Sequence, residues 1–214
     1  MIKNIINTEK TITKEFFKQY PYPWNLIENI NEIIKAIDKS KYKEMLPNVW
    51  IGNNVDIAPS ATITGPCIID DNTQIRHCAY IRGNVIIGKN CVIGNSTELK
   101  SSIIFDNADI PHFNYVGNSI LGYKSHLGAG VIISNLKSDK SDIKITINDK
   151  TYNTKQRKFG AIVGDYVEVG CNSVLTPGTI IGSNTTIYPL TMIRGEIKSN
   201  KIVKDNKNII DKII

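Results

Sequence analysis

No run of apolar residues in this chain approaches the length that a bilayer demands, and the N-terminal stretch MIKNIINTEKTITKEFF lacks the apolar core of a signal peptide. A cytoplasmic location is the expectation. The four cysteines (Cys67, Cys78, Cys91 and Cys171) form no CxxC pair, which argues against a zinc or disulfide framework. They are expected to be buried thiols in a reducing compartment. Aromatic residues are scarce at 7%, and the 26 Lys and Arg residues are scattered rather than clustered, so the stacking and charge pattern of a nucleic-acid binder is missing. The net charge of +6 suits a phosphorylated small molecule as well as it suits any polyanion. Neither nucleic acid nor membrane is expected as a partner.

What the chain does have is a period. A large apolar residue stands at every sixth position from Ile51 through Ile57 and Ile63 to Leu99 and Phe105. The period then resumes at Leu121, Leu127 and Ile133, and again from Val163 to Ile193. Neither an isolated helix nor an alternating strand repeats every six residues. Short parallel strands separated by turns do, because each sends one large side chain into a narrow shaft. Four positions after the large residue come small or β-branched ones, such as Ala61, Cys67, Thr73, Ala79 and Cys91, as an inward-packing corner requires. The expected fold is all-β: a parallel β-helix of hexapeptide repeats over residues 49–198.

Two segments escape the period. In residues 1–48, WNLIENINEIIKAIDKS places Ile27, Ile30, Ile34 and Ile37 at helical spacing, with Asn25 and Glu28 as a capping pair. This arm is expected to cover an open end of the coil or its side. Residues 136–160 alternate around Asn148-Asp149 and predict a hairpin projecting from the coil. Its lysines and Arg157 either attract a phosphorylated ligand or simply solvate a loop. Residues 199–214 read as a tail.

The count breaks at PHFNYVG, residues 111–117, which brings His112, Asn114 and Tyr115 together. Histidine titrates near neutrality and can take a proton from an incoming nucleophile. Arg82 and Lys100 are eighteen residues apart, three hexads, and so are expected on the same face one coil apart as a phosphate clamp.

These residues, with PHFNYVGNSILGYKSHLGAGVIISN and KFGAIVGDYVEVG, resemble the C-terminal acetyltransferase domain of the bifunctional N-acetylglucosamine-1-phosphate uridylyltransferase/glucosamine-1-phosphate acetyltransferases. The likeness is closer to the sugar-1-phosphate nucleotidylyltransferase/acetyltransferase branch, which also carries the hairpin insertion. It covers roughly residues 20–195. The resemblance implies a left-handed coil, a homotrimer with sites between subunits, and transfer of acetyl from acetyl-CoA to the amine of glucosamine or galactosamine 1-phosphate, with no metal required. It implies His112 as the general base and Arg82, Lys100, Tyr115 and Asn135 as groups around the sugar phosphate. His126 stands where that family has a second sugar-site asparagine. Ala129, Cys171 and Pro189 match contacts to the cofactor, and Lys158 is expected on the cofactor side. The family's CoA-contacting arginine near the C-terminus has no assignable match. The glycine-rich loop of the family's nucleotidyltransferase half is missing, so that second activity is not expected; a separate nucleotidyltransferase chain is a conceivable partner. The alternative is a non-catalytic trimerising or regulatory coil, which has no reason to keep this residue set. A zinc hydratase of the γ-carbonic anhydrase type would need three convergent histidines, and the spacings among His77, His112 and His126 do not fit it.

Overall fold

In the computed structural model, which describes residues 5–205 and 207–213, short parallel strands stack into a three-sided coil. The expected arm and tail include residues 1–4, 206 and 214, which lie outside the described residues. Face 1 runs through the strands Val49–Ile51, Cys67–Ile69, Val85–Ile87, Ser102–Ile104, Ile120–Leu121, Ala161–Val163 and Thr179–Ile181. Face 2 includes Gln74–Ile75, Val92–Asn95, Asp109–His112, His126–Leu127 and Glu168–Val169; face 3 includes Tyr80–Ile81, Glu98–Lys100, Tyr115–Gly117 and Ile132–Ile133. The chain visits the faces in the order 1, 2, 3. One large residue per strand, Ile69, Ile75 and Ile81 for instance, points into a common core, with Cys67, Ala79, Val85 and Cys91 filling the corners.

The period breaks at a different place from the one read off the sequence. Ile104, not Phe105, takes the inward position, pairing with Ile87 in register; Phe105 turns outward into a second cluster. The following circuit runs from Ile104 to Leu121. Each of these two circuits is one residue shorter than the eighteen that separate Ile69 from Ile87. The missing residue is a turn residue. Gly83 and Asn84 both have positive φ at the longer corner, whereas Ser101 alone, then Asn118 alone, turns the shorter ones. Residues 111–117 keep the period, with Ile110 and Val116 both inward. Every change of circuit length falls on the edge between faces 3 and 1. The hairpin insertion leaves from the same edge, between Ile133 and Val163.

Face 1 is buried on both sides. Ile68, Ile86, Ile103, Ile120, Ile162 and Ile180 point away from the shaft, yet none is more than 1% exposed. The N-terminal arm and the hairpin cover them: Trp24, Leu26, Ile27, Ile30, Ile33 and Ile34 join Ile143, Ile145 and Ile147 in one outer cluster. The arm therefore packs along a side of the coil rather than over its end. The hairpin, Lys144–Ile147 paired with Lys150–Asn153 around left-handed Asn148 and Asp149, lies down on the coil instead of projecting. The helix expected at 24–40 is two short ones, Trp24–Glu28 and Ile30–Ala36, broken at Asn29. Asn25 caps nothing; Pro23 holds the cap position, and the Asn25 carbonyl accepts from Asn29 Nδ2 at 2.8 Å. The ends of the coil are closed by antiparallel strands, Lys43–Leu46 on face 1 and Asn208–Asp211 on face 2. Val203 still belongs to the inner core, beyond the boundary expected at 198.

Candidate active site

Two rows of side chains run along the two edges of face 3. On the edge between faces 2 and 3, His112 stands in register with Asn95, and its carbonyl accepts from Gly130 N at 3.0 Å. The Ala129 carbonyl accepts from Asn172 N and the Cys171 carbonyl from Leu190 N. His112, Ala129, Cys171 and Pro189 thus occupy equivalent positions on successive coils, about 4.8 Å apart by the spacing of paired strands. The expected base and three of the expected cofactor contacts form one line parallel to the coil axis. The His112 ring is exposed. Asn114 is not: its Oδ1 accepts from His112 N at 3.0 Å and its Nδ2 donates to the Gly128 carbonyl at 2.8 Å, so this amide shapes the corner beneath His112. Cys171 and Cys78 are exposed, against the expectation of buried thiols, while Cys67 and Cys91 are buried; burial pushes both buried thiols up to about 12.

The opposite edge, between faces 3 and 1, is cationic. Arg82 and Lys100 are stacked one coil apart as their spacing requires. Arg82 leans over face 3, donating to Glu98 Oε1 at 2.7 Å, and this carboxylate holds the guanidinium above its ordinary pKa. Burial first, then the charges of Lys158 and Arg82, push the Lys100 ammonium below the usual lysine range. Burial, reinforced by Glu98, raises the Tyr115 hydroxyl. Asn135 Nδ2 donates to Asn118 Oδ1 at 2.6 Å. A Cβ on Gly117 would meet Asn135 Nδ2 at 2.6 Å and the Tyr115 hydroxyl at 2.7 Å, so only glycine lets these two side chains close over the strand.

Arg82, Lys100, Tyr115 and Asn135 are therefore brought together. Glu98, Asn118 and Gly117 join them, none of which the sequence reading singled out. Lys158 stands beside Lys100 rather than in the line of Ala129, Cys171 and Pro189. His126 lies on face 2, its Nδ1 within 2.8 Å of Glu168 Oε2, beside a cleft shared with Asp109 and Lys124 and away from the cationic edge. His112 and the cations flank one face: His112 ends its strand on face 2, left-handed Phe113 turns the corner, and the short strand Tyr115–Gly117 crosses face 3 to Gly117, the residue in register with Lys100. Among the described residues no group of three or more His, Cys, Asp or Glu could hold a metal ion.

The His112 corner depends on Gly94. A Cβ there would collide with the Pro111 backbone, which has no flexible end to yield. Gly94→Ala is expected to cost about 1–3 kcal/mol through overpacking and to displace the residue before His112. A lower midpoint of urea unfolding is the expected result; an unchanged midpoint would show that the corner tolerates a methyl group.

The model of the family described as the GMPPB C-terminal domain matches residues 63–214. Over 208 residues the chain is 34% identical to the bifunctional protein GlmU of Methanococcus aeolicus, covering 89% of this chain and 47% of that protein. It is 31% identical to the bifunctional sugar-1-phosphate nucleotidylyltransferase/acetyltransferase of Sulfurisphaera tokodaii, over 85% of this chain and 47% of the relative. The chain thus spans about half the length of the curated relatives it matches. A solved structure of AntD, an N-acyltransferase from Bacillus cereus, aligns with a TM-score of 0.40 at 16% identity over 81% of this chain and 91% of that one. By the extent of the family match, the chain belongs to the family of the GMPPB C-terminal domain.

Proposed function

We propose that the protein is an acetyl-CoA-dependent N-acetyltransferase acting on a hexosamine 1-phosphate. The observation that carries this reading is the two-edged face 3, with a cation cluster along one edge and an exposed imidazole along the other. The sugar phosphate lies across the face above Tyr115, its phosphate held by Arg82, Lys100 and Lys158 and its amine toward His112. Acetyl-CoA runs along the line of Ala129, Cys171 and Pro189, delivering its thioester at the His112 end. The amine nitrogen forms a bond to the thioester carbonyl carbon, His112 takes the amine proton, and the carbon–sulfur bond breaks. CoA then leaves as the thiol after receiving that proton. Cationic clamping of the phosphate turns encounter into a fixed approach, and a base is needed because a protonated amine has no lone pair to attack with. A homotrimer, with a neighbouring copy closing over face 3, fits the exposure of Tyr80, Ile132, Val174 and Met192 there.

The test follows CoA thiol release with glucosamine 1-phosphate, galactosamine 1-phosphate and the unphosphorylated amines. Turnover with a phosphorylated amine and little with the free sugar is the expected result; no turnover with any amine, from folded protein, would leave the coil as a structural or regulatory element. Lys100 gives a sharper check. Lys100→Met removes one charge-assisted contact, about 1.5–3 kcal/mol, and should raise the KM for the acceptor about tenfold or more. Because Lys100 sits among like charges, thermal stability should hold or rise in the same variant. A KM within twofold of the parent would remove Lys100 from the phosphate site.

A further inference from the structure

The cationic edge does not end at Lys100. A cleft of about 660 Å³ opens from it between the first helix and the base of the hairpin, lined by Glu28, Asn118, Lys140, Lys155, Arg157 and Lys158. Two residues belong both to this cleft and to the sugar-phosphate cluster. Asn118 receives the hydrogen bond from Asn135, and Lys158 is close enough to Lys100 for their charges to repel. The cleft is thus continuous with the cationic edge, on the side away from His112.

Four cations line it against one carboxylate, Glu28. None of the ion pairs among the described residues involves Lys100, Lys140, Lys155, Arg157 or Lys158. The walls are held in place. Buried Gln156 donates from Nε2 to the Trp24 carbonyl at 2.9 Å, tying the hairpin base to the first helix. Arg157 Nε donates to the Lys140 carbonyl at 3.1 Å, tying the two ends of the insertion together. Lys140 and Lys155 both sit at left-handed backbone positions, φ 55° and 57°. These are turn positions of the kind that recurs along this chain, at Phe113, Lys124 and Tyr166 for instance. A set of four like charges on a tied scaffold with a single counter-charge is what a multiply charged anion neutralises most effectively.

Resting on the reading of face 3 as the acceptor site, we infer that the preferred acceptor is a hexosamine 1-phosphate extended by a second phosphate: the phosphate next to the sugar sits at Lys100 and Lys158, and the second phosphate enters the cleft toward Lys140, Lys155 and Arg157. A sugar monophosphate would leave the cleft cations uncompensated. The group beyond the second phosphate is either a nucleoside or an alkyl chain, and both share the diphosphate that the cleft selects.

The experiment compares acetyl transfer to glucosamine 1-phosphate, to UDP-glucosamine and to a glucosamine 1-diphosphate bearing a short alkyl chain, using the full chain and its Lys140→Gln/Lys155→Gln double variant. The parent should favour at least one diphosphate acceptor over the monophosphate by tenfold or more in kcat/KM. The double variant should lose that preference while its rate with glucosamine 1-phosphate stays within twofold. The ratio of UDP-glucosamine to the alkyl diphosphate separates the two sources. Equal kcat/KM for mono- and diphosphate acceptors, or equal losses for both in the variant, would overturn the inference. Binding is measured separately by calorimetry with inorganic pyrophosphate and inorganic phosphate. Pyrophosphate should bind at least tenfold more tightly than phosphate, with the difference abolished in the double variant. If no amine is acetylated, the acceptor reading fails while the pyrophosphate measurement still judges the cleft; no pyrophosphate preference would overturn the cleft itself.

Discussion

His112→Ala is expected to slow acetyl transfer by about a hundred- to ten-thousandfold, the usual contribution of a positioned general base, while leaving the fold intact. The ring is exposed, and the two hydrogen bonds that this residue contributes to the corner come from its main chain, to Asn114 Oδ1 and from Gly130 N. Both survive truncation of the side chain. An exposed substitution of this kind costs about 0.5 kcal/mol or less, so the melting temperature should move by no more than about 2 °C for a chain of this size. A rate within twofold of the parent would remove His112 as the base.

Trp24→Ala carries the largest expected effect on stability. Trp24 is 1% exposed, stacks on Tyr22 with ring centroids 4.7 Å apart and packs against Tyr152 at 5.7 Å. Its carbonyl also anchors Gln156. Emptying such a site costs about 3–5 kcal/mol, from lost transfer energy and from the cavity that remains. The consequence reaches beyond the arm, because the outer isoleucines of face 1 lose part of their cover. Denaturant unfolding should show the stability loss, and the variant should bind a hydrophobic dye more strongly than the parent. A loss below about 1 kcal/mol would mean that the arm is only loosely docked.

The inner core was legible in the sequence because a three-sided coil admits one large residue per strand, and most of its sides take six residues. The place where the count slips was misread for a physical reason. Phe105 happens to satisfy the count that Ile104 satisfies in space. A corner that drops one turn residue leaves no hydrophobic trace of its own. The second core left a signal that went unused: CII, VII and AIV are buried on both faces, and such unbroken apolar triplets on every third strand mark a face covered from outside. The candidate site divides similarly. The stacking of Arg82 on Lys100 follows from a spacing of eighteen. Lys158 reaches Lys100 only after the insertion has left the coil and returned, a path that no spacing encodes. The line of His112, Ala129, Cys171 and Pro189 came from resemblance, and its geometric basis is visible only once the circuit lengths are known. Asn25 was misassigned as a cap because a side chain able to cap does so only when the backbone turns there, and the turn comes at Asn29.

The confinement of uneven circuit lengths to the edge between faces 3 and 1 gives the molecule a built-in cassette. The other two edges act as a fixed frame, with inward residues six apart across each of them, as in Ile69, Ile75 and Ile81. The third can be shortened by a residue or extended by a whole hairpin, and the strands beyond it re-enter in phase. Foreign segments spliced at Gly195, which turns a later corner of this same edge with nothing within 4 Å of an added Cβ, should leave the prism intact and present new groups on the edge that carries the cationic strip. Ligand preference could then be rewritten by editing one seam.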